Sequence, residues 1–261
     1  MNKADRWIES SLRAPMAECR LFCLAYAGGS SAIYTSWPKA LPDFIEVLPL
    51  QLPGRGSRMR EKPFTNLLQT TQAIHDDLLP LFKEKPFAFF GHSMGATISF
   101  EVARKLETED GIRPFAMFVS GRQAPHVPDR YPPNYNLPHD QFIEQLRRLN
   151  GTPKEVFEHQ ELLELVVPIL RADFEAIDTY QYIPSTPLEC PIIALIGEHD
   201  QDILREDFEA WRIHTTQDFR CRIFPGDHFY LHSQQPALLR ELAQEIRRRK
   251  PVEEKISNLK F

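Results

Sequence analysis

Pro86-Phe87-Ala88-Phe89-Phe90-Gly91-His92-Ser93-Met94-Gly95 is the stretch on which the reading of the fold turns. Residues 86–90 form a short apolar run rich in aromatic side chains and read as a buried strand, whereas 96–106 read as a helix. Between them a serine stands with a glycine two positions away on either side. A turn that tight needs small flanking residues, because strand and helix approach each other closely there. The same alternation continues in both directions. Upstream, 21–26 and 45–52 read as strands, and 67–82 as a helix carrying Leu67, Ile74, Leu78 and Leu81 at helical spacing. Downstream, 115–119, 191–196 and 220–224 read as strands, and 236–249 as a closing helix with Leu238, Leu239, Leu242 and Ile246 on one side. Strands alternating with helices imply crossovers, so the expected fold class is α/β, with a mostly parallel central sheet and helices on both faces.

Residues 122–187 break this alternation. Five prolines between 125 and 138 mark irregular chain. Helical signal follows over 141–149, with Phe142, Leu146 and Leu149 on one face. Thr152-Pro153-Lys154-Glu155 fits a capping box with proline at the first helical position, and 161–180 reads as helix interrupted at Pro168. An apolar-faced helical insertion after a sheet strand is expected to cover the strand ends, as a packing layer or as a lid, within a single domain spanning 1–261.

Composition limits what such a chain does. Its 261 residues include 22 prolines and only 11 glycines, with 42% apolar and 26% charged residues and a net charge of −5. That balance suits a globular chain with a core and excludes a fibrous repeat or a disordered tail. There is no basic stripe of the kind nucleic-acid binders carry. The run Arg247-Arg248-Arg249-Lys250 reads as the last turn of a helix, where cations suit the dipole. No apolar stretch is long enough for a membrane span, and residues 1–16 lack the apolar centre of a signal peptide. Cys19, Cys23, Cys190 and Cys221 have no C-x-x-C spacing and read as reduced core residues of a cytoplasmic protein, with no metal site.

Gly91-His92-Ser93-Met94-Gly95 has the G-x-S-x-G spacing in the strand–turn–helix setting that a nucleophile elbow demands. Ser93 is therefore the candidate nucleophile. Its base and acid are expected in the chain order Ser, acid, His. His228, in the turn after the last strand, is favoured over His232, one turn later, and over His214, which precedes that strand. His92 adjoins Ser93, but the sharp turn is expected to send its side chain elsewhere. Gly197-Glu198-His199-Asp200 leaves the preceding strand and brings Glu198, Asp200 and nearby Asp202 into consideration. Asp200 is preferred for its place after the glycine turn, and Asp227, beside His228, reads as structural. Backbone donors for a developing oxyanion are expected from Met94 and from the loop Tyr26-Ala27-Gly28-Gly29-Ser30.

These residues resemble the stand-alone type II thioesterases that accompany nonribosomal peptide and polyketide synthases, members of the α/β-hydrolase superfamily. The resemblance spans residues 19–246 and leaves out 251–261. It rests on Ala25-Tyr26-Ala27-Gly28-Gly29-Ser30, Leu52-Pro53-Gly54-Arg55-Gly56, the elbow, Ser120-Gly121-Arg122-Gln123-Ala124-Pro125, Gly151-Thr152-Pro153, Leu170-Arg171-Ala172-Asp173-Phe174, Gly197-Glu198-His199-Asp200 and Gly226-Asp227-His228-Phe229-Tyr230. It implies Ser93 as nucleophile, Asp200 as acid, His228 as base, and the amides of Ala27 and Met94 as oxyanion donors. It further implies hydrolysis of acyl thioesters on the phosphopantetheine arm of acyl or peptidyl carrier domains, with no cofactor. In the insertion it points to Phe142, Leu146, Leu163 and Phe174 as lining for small acyl groups. Carrier proteins are usually acidic, so Arg122, Arg130, Arg147 and Arg148 are candidates for a basic docking patch.

Other readings share the elbow. A carboxylesterase or lipase would use the same three residues on oxygen esters. A macrocyclising thioesterase would keep the fold, although the chain's own start and modest length favour a separate hydrolase. A silent relative that only binds an acyl ligand would have no need of Ser93, Asp200 and His228 together.

Overall fold

The computed structural model describes residues 3–8 and 13–251; the remainder of the 1–261 range lies outside the described residues. Six strands make one sheet: β1 (Cys19–Leu24), β2 (Ile45–Pro49), β3 (Phe87–His92), β4 (Ala116–Ser120), β5 (Ile192–Gly197) and β6 (Phe219–Phe224). Their order is β2-β1-β3-β4-β5-β6, and every neighbouring pair is parallel. Helix α1 (Leu67–Glu84) precedes β3, and α2 (Met94–Lys105) follows it and ends in one π-helical turn, Leu106–Asp110. Helices α3 (His139–Leu149), α4 (Lys154–Glu158) and α5 (Gln160–Asp178) lie in the chain between β4 and β5. The short α6 (Arg205–Glu209) follows β5, and α7 (Tyr230–Ser233) and α8 (Gln235–Arg249) follow β6.

Both faces of the sheet are apolar, because successive side chains of a strand point to opposite sides. On β1, Phe22 and Leu24 join a core with Ile74 and Leu78 of α1 and Ile98 and Val102 of α2. Leu21 and Cys23 face the other way, into a core closed by Leu238, Leu239, Leu242 and Ile246 of α8. The expected stripe of the closing helix thus meets the sheet directly. Arg248 and Arg249 at its end are paired with Asp218 and Glu245.

Element boundaries move for identifiable reasons. The strand expected over 45–52 ends at Pro49, since after the bond from Leu50 N–H to the Cys23 carbonyl the Gln51 N–H turns to the Trp7 carbonyl. The capping box expected at Thr152 is absent. Pro153 is the cap of α4 and no side chain bonds the first-turn amides. α5 runs through Pro168 unbroken. That proline is exposed, so the carbonyl it leaves without a donor can be hydrated. All four cysteines are free thiols. Among the described residues no helix is long and apolar enough to cross a membrane.

Below α2, the imidazoles of His126 and His214 share a hydrogen bond of 2.7 Å, and His214 is packed among Phe100, Trp211 and Tyr182. Burial, with the His126 charge and Arg104 beyond it, pushes the His214 pKa down to about 4. The folded state therefore refuses a proton that the unfolded chain accepts near its ordinary value of about 6.5. Stability is full above that value and falls as pH drops from about 6.5 to about 4, by on the order of 1–3 kcal/mol. Thermal denaturation should show a lower Tm at pH 5 than at pH 7.5, and His214→Gln should flatten that slope. An equal slope in the variant would remove His214 from the account.

Candidate active site

The order in which strands are added reverses between β1 and β3: β2 lies beyond β1 and β4 to β6 lie beyond β3, all of them parallel. Loops leaving these two strands diverge and open a crevice at the carboxyl ends, where ligands of open α/β sheets bind. The loop containing Ala27 and the turn containing Ser93 both begin there.

Ser93 has φ 54 and ψ −117, and only Asn150 shares a positive φ among described non-glycine residues. Such a backbone costs on the order of 1–3 kcal/mol and persists only where its surroundings enforce it. Here the Ser93 N–H donates to the Ser120 carbonyl at 2.7 Å. The flanking glycines explain the close approach: a Cβ on Gly91 would stand 2.2 Å from the Gly95 carbonyl oxygen, and one on Gly95 2.2 Å from that of Leu24. Ser93 thus caps α2, and the Met94 N–H at the first helical position has no intrahelical acceptor. The Met94 side chain turns away into a small cavity beside Leu52 and Ile98.

The loops after β5 and β6 are tied together by Glu198 N–H to the Phe224 carbonyl (2.8 Å) and His199 N–H to the Gly226 carbonyl (2.9 Å). This brings the fully buried Asp200 carboxylate within 2.7 Å of His228 Nδ1, through Oδ2. The second oxygen, Oδ1, accepts the Asp202 N–H at 3.1 Å. Glu198 is exposed, and Asp202 points its own carboxylate toward Arg148 at 3.5 Å. Asp227 accepts the Phe229 N–H, and His232 bonds the Tyr26 hydroxyl at 3.0 Å. His92 is fully buried, its ring centroid 5.0 Å from that of His228. Its Nδ1 meets the Ser120 hydroxyl, which in turn meets the Tyr230 hydroxyl. Burial holds His92 well below the usual histidine range, so it stays neutral.

Ser93, His228 and Ala27 line one cavity of about 980 Å³, open solvent included. Leu146 and Phe174 of the insertion line it too. Phe142 and Leu163 do not: Phe142 is buried with Leu146, Val167 and Leu170, and Leu163 packs against that cluster. Arg122, Arg130 and Arg148 border the cavity, Arg122 paired with Asp129 at 3.0 Å. Arg147 instead lies over the Phe157 ring.

One pair near the site carries no role in the sequence reading. Arg55 grips Asp173 with both terminal nitrogens, at 2.5 and 2.6 Å, and both side chains are buried. Asp173 Oδ2 also accepts the Gly28 N–H at 2.7 Å. The signal was present in α5, where Asp173 falls on the same helical face as Leu170 and Ala176. A charge on an apolar face announces a buried partner.

The sheet order, the elbow and the adjoining histidine and carboxylate define an α/β-hydrolase. Comparison with known proteins narrows the class. The sequence model of the thioesterase domain family matches residues 19–246. Linear gramicidin dehydrogenase LgrE of Brevibacillus parabrevis is 47% identical over 90% of each chain. Gramicidin S biosynthesis protein GrsT of Aneurinibacillus migulanus is 40% identical over 95% of this chain and 96% of its own. Among solved structures, the type II thioesterase BorB from the borrelidin biosynthetic cluster superposes with a TM-score of 0.84 at 37% identity, covering 93% of this chain and 98% of its own. The chain belongs to the thioesterase family and is a hydrolase of thioester bonds.

Proposed function

We propose that this chain hydrolyses acyl thioesters held on the phosphopantetheine arm of carrier domains of a nonribosomal peptide or polyketide synthase, clearing aberrant acyl groups. The observation that carries the reading is the 2.7 Å bond from the buried Asp200 to His228, which lines the same cavity as Ser93. Relatives named as type II thioesterases of such clusters support the substrate class. In this scheme His228 removes the Ser93 hydroxyl proton as Oγ attacks the thioester carbonyl. The amides of Ala27 and Met94 receive the oxyanion. Collapse breaks the carbon–sulfur bond, and His228 returns the proton to the departing thiol. Water, deprotonated by His228, then cleaves the acyl-Ser93 ester and frees the acid. Asp200 holds the imidazole tautomer and stabilises its cation.

The insertion over 122–187 serves as the lid in a single α/β-hydrolase domain, with Leu146 and Phe174 facing the acyl group and Phe142 and Leu163 supporting them from behind. Arg122, Arg130 and Arg148 supply positive charge for an acidic carrier domain. We place the reaction in the cytoplasm. The dehydrogenase name of LgrE does not transfer readily. A dinucleotide site of the common kind needs G-x-G-x-x-G leading into a helix, whereas the turn after β1 reads Tyr26-Ala27-Gly28-Gly29-Ser30 and leads into a short 3₁₀ turn, Ser31–Tyr34.

The deciding assay compares an acetyl-loaded peptidyl carrier domain, acetyl-CoA and p-nitrophenyl acetate. The carrier-bound thioester should be cleaved with the highest kcat/KM, by about tenfold or more, because carrier contacts add binding energy that the small substrates lack. Turnover of the oxygen ester with the carrier left acylated would replace this reading with an esterase.

A further inference from the structure

We infer that Arg55 and Asp173 form a clamp through which the insertion helix α5 sets the orientation of the loop that supplies the Ala27 amide. The inference rests on the proposed role of Ala27 as an oxyanion donor. Residues 26–29 form a four-residue turn closed by the Gly29 N–H to the Tyr26 carbonyl at 2.9 Å. Gly28, its third residue, has φ +78, which is the type II arrangement. Types I and II differ by a half-turn of the central peptide, here Ala27–Gly28, so the direction of the Gly28 N–H tells them apart.

Asp173 Oδ2 takes that N–H at 2.7 Å and selects one of the two. The carboxylate cannot swing, since both its oxygens are held by the Arg55 fork. Arg55 is fixed in turn: its Nη1 also donates to the Gly29 carbonyl at 3.2 Å and its Nε to the Pro53 carbonyl at 3.3 Å. Leu170, three residues before Asp173 on α5, closes the space from the same side, and a Cβ on Gly28 would stand 2.4 Å from its Cδ2. The half-turn between types I and II leaves the preceding peptide, which carries the Ala27 N–H, in place; the clamp reaches it by anchoring the turn at the Gly28 N–H and the Gly29 carbonyl. Ala27 lines the Ser93 cavity, and its N–H takes no partner among the described residues.

A stabilising role alone accounts poorly for this pair. Desolvating two charges is costly, and replacing a buried pair by apolar side chains of similar size is often neutral or stabilising. A buried fork gives instead a fixed direction, and transition-state stabilisation depends on donors already aimed at the oxyanion.

The test compares wild type with Arg55→Met/Asp173→Leu and Arg55→Lys on the acetyl-loaded carrier domain. The double variant leaves no buried charge unpaired and removes the acceptor of the Gly28 N–H. Its kcat should fall about 10- to 100-fold, short of the loss of a whole oxyanion donor, with KM within about twofold. The inhibition constant of an alkyl trifluoromethyl ketone, which forms a tetrahedral adduct on the nucleophilic serine, should rise by the factor by which kcat/KM falls. A merely structural pair would change Tm and leave both quantities alone. Arg55→Lys keeps the charge paired but not the fork, and should lose about 3- to 10-fold in kcat even if the double variant does not fold. Wild-type kcat in the folded double variant, or in Arg55→Lys, overturns the clamp. Failure of the ketone to form its adduct on Ser93 in the wild type would instead overturn the proposed site, whatever the clamp variants do.

Discussion

Ser93→Ala should leave less than about one part in 10⁴ of the wild-type turnover on an acetyl-loaded carrier domain, with the carrier still bound. The fold places one hydroxyl on a strained turn at the start of α2, where the backbone holds φ 54 against its own preference. His92 is buried and neutral and is already bonded to Ser120. Thr97, one turn into α2, is buried and lines a different cavity. Alanine removes the hydroxyl but keeps a side chain that the turn already tolerates, so Tm should move little. Single-turnover release of acetate, followed by mass spectrometry of the carrier, measures the loss. A variant retaining a tenth of wild-type turnover would exclude Ser93 as the nucleophile.

Asp200→Asn should cost about 10⁴ in kcat, through the wrong tautomer rather than a lost contact. Asp200 Oδ1 accepts the Asp202 N–H, and Oδ2 receives the proton of His228 Nδ1. An asparagine that keeps its oxygen on the Asp202 N–H must turn its amide toward Nδ1. That nitrogen then becomes an acceptor and the proton moves to Nε2, so the imidazole can no longer accept from Ser93. Asp202→Asn is the matched control, since Asp202 supports Asp200 through its backbone, and it should keep kcat within about threefold. Comparable losses in both variants would reopen the choice of acid between these two carboxylates.

Much of the fold was legible because β1, β3, β4 and β5 are buried on both faces and so appear as continuous apolar runs, separated by helices with a clear stripe. Leu238, Leu239, Leu242 and Ile246 stand where their spacing put them. The elbow was legible for a steric reason, since Gly91 and Gly95 occupy positions that exclude any Cβ. Asp200 and His228 could be paired because strand order predicts which loops meet. The insertion was harder to read. An amphipathic helix reveals which face is buried but not against what, so Phe142 and Leu163 could not be told from Leu146 and Phe174, which reach the cavity. Pro168 looked like a helix break because local propensity says nothing of the hydrated face on which it lies. The Arg55–Asp173 clamp joins residues 118 positions apart, and only tertiary contact reveals that its carboxylate turns to Gly28.

In the proposed reaction, acyl groups pass from the carrier thiol to Ser93 and then to water. Rapid-quench peptide mass spectrometry tests it directly. The full chain is mixed with the acetyl-loaded carrier domain, stopped in acid within milliseconds to seconds and digested. The peptide spanning Gly91 to Gly95 should gain one acetyl group on Ser93 before free acetate appears, and lose it as acetate accumulates. Acetate released with Ser93 never acetylated, or a carrier that stays loaded, would contradict the account.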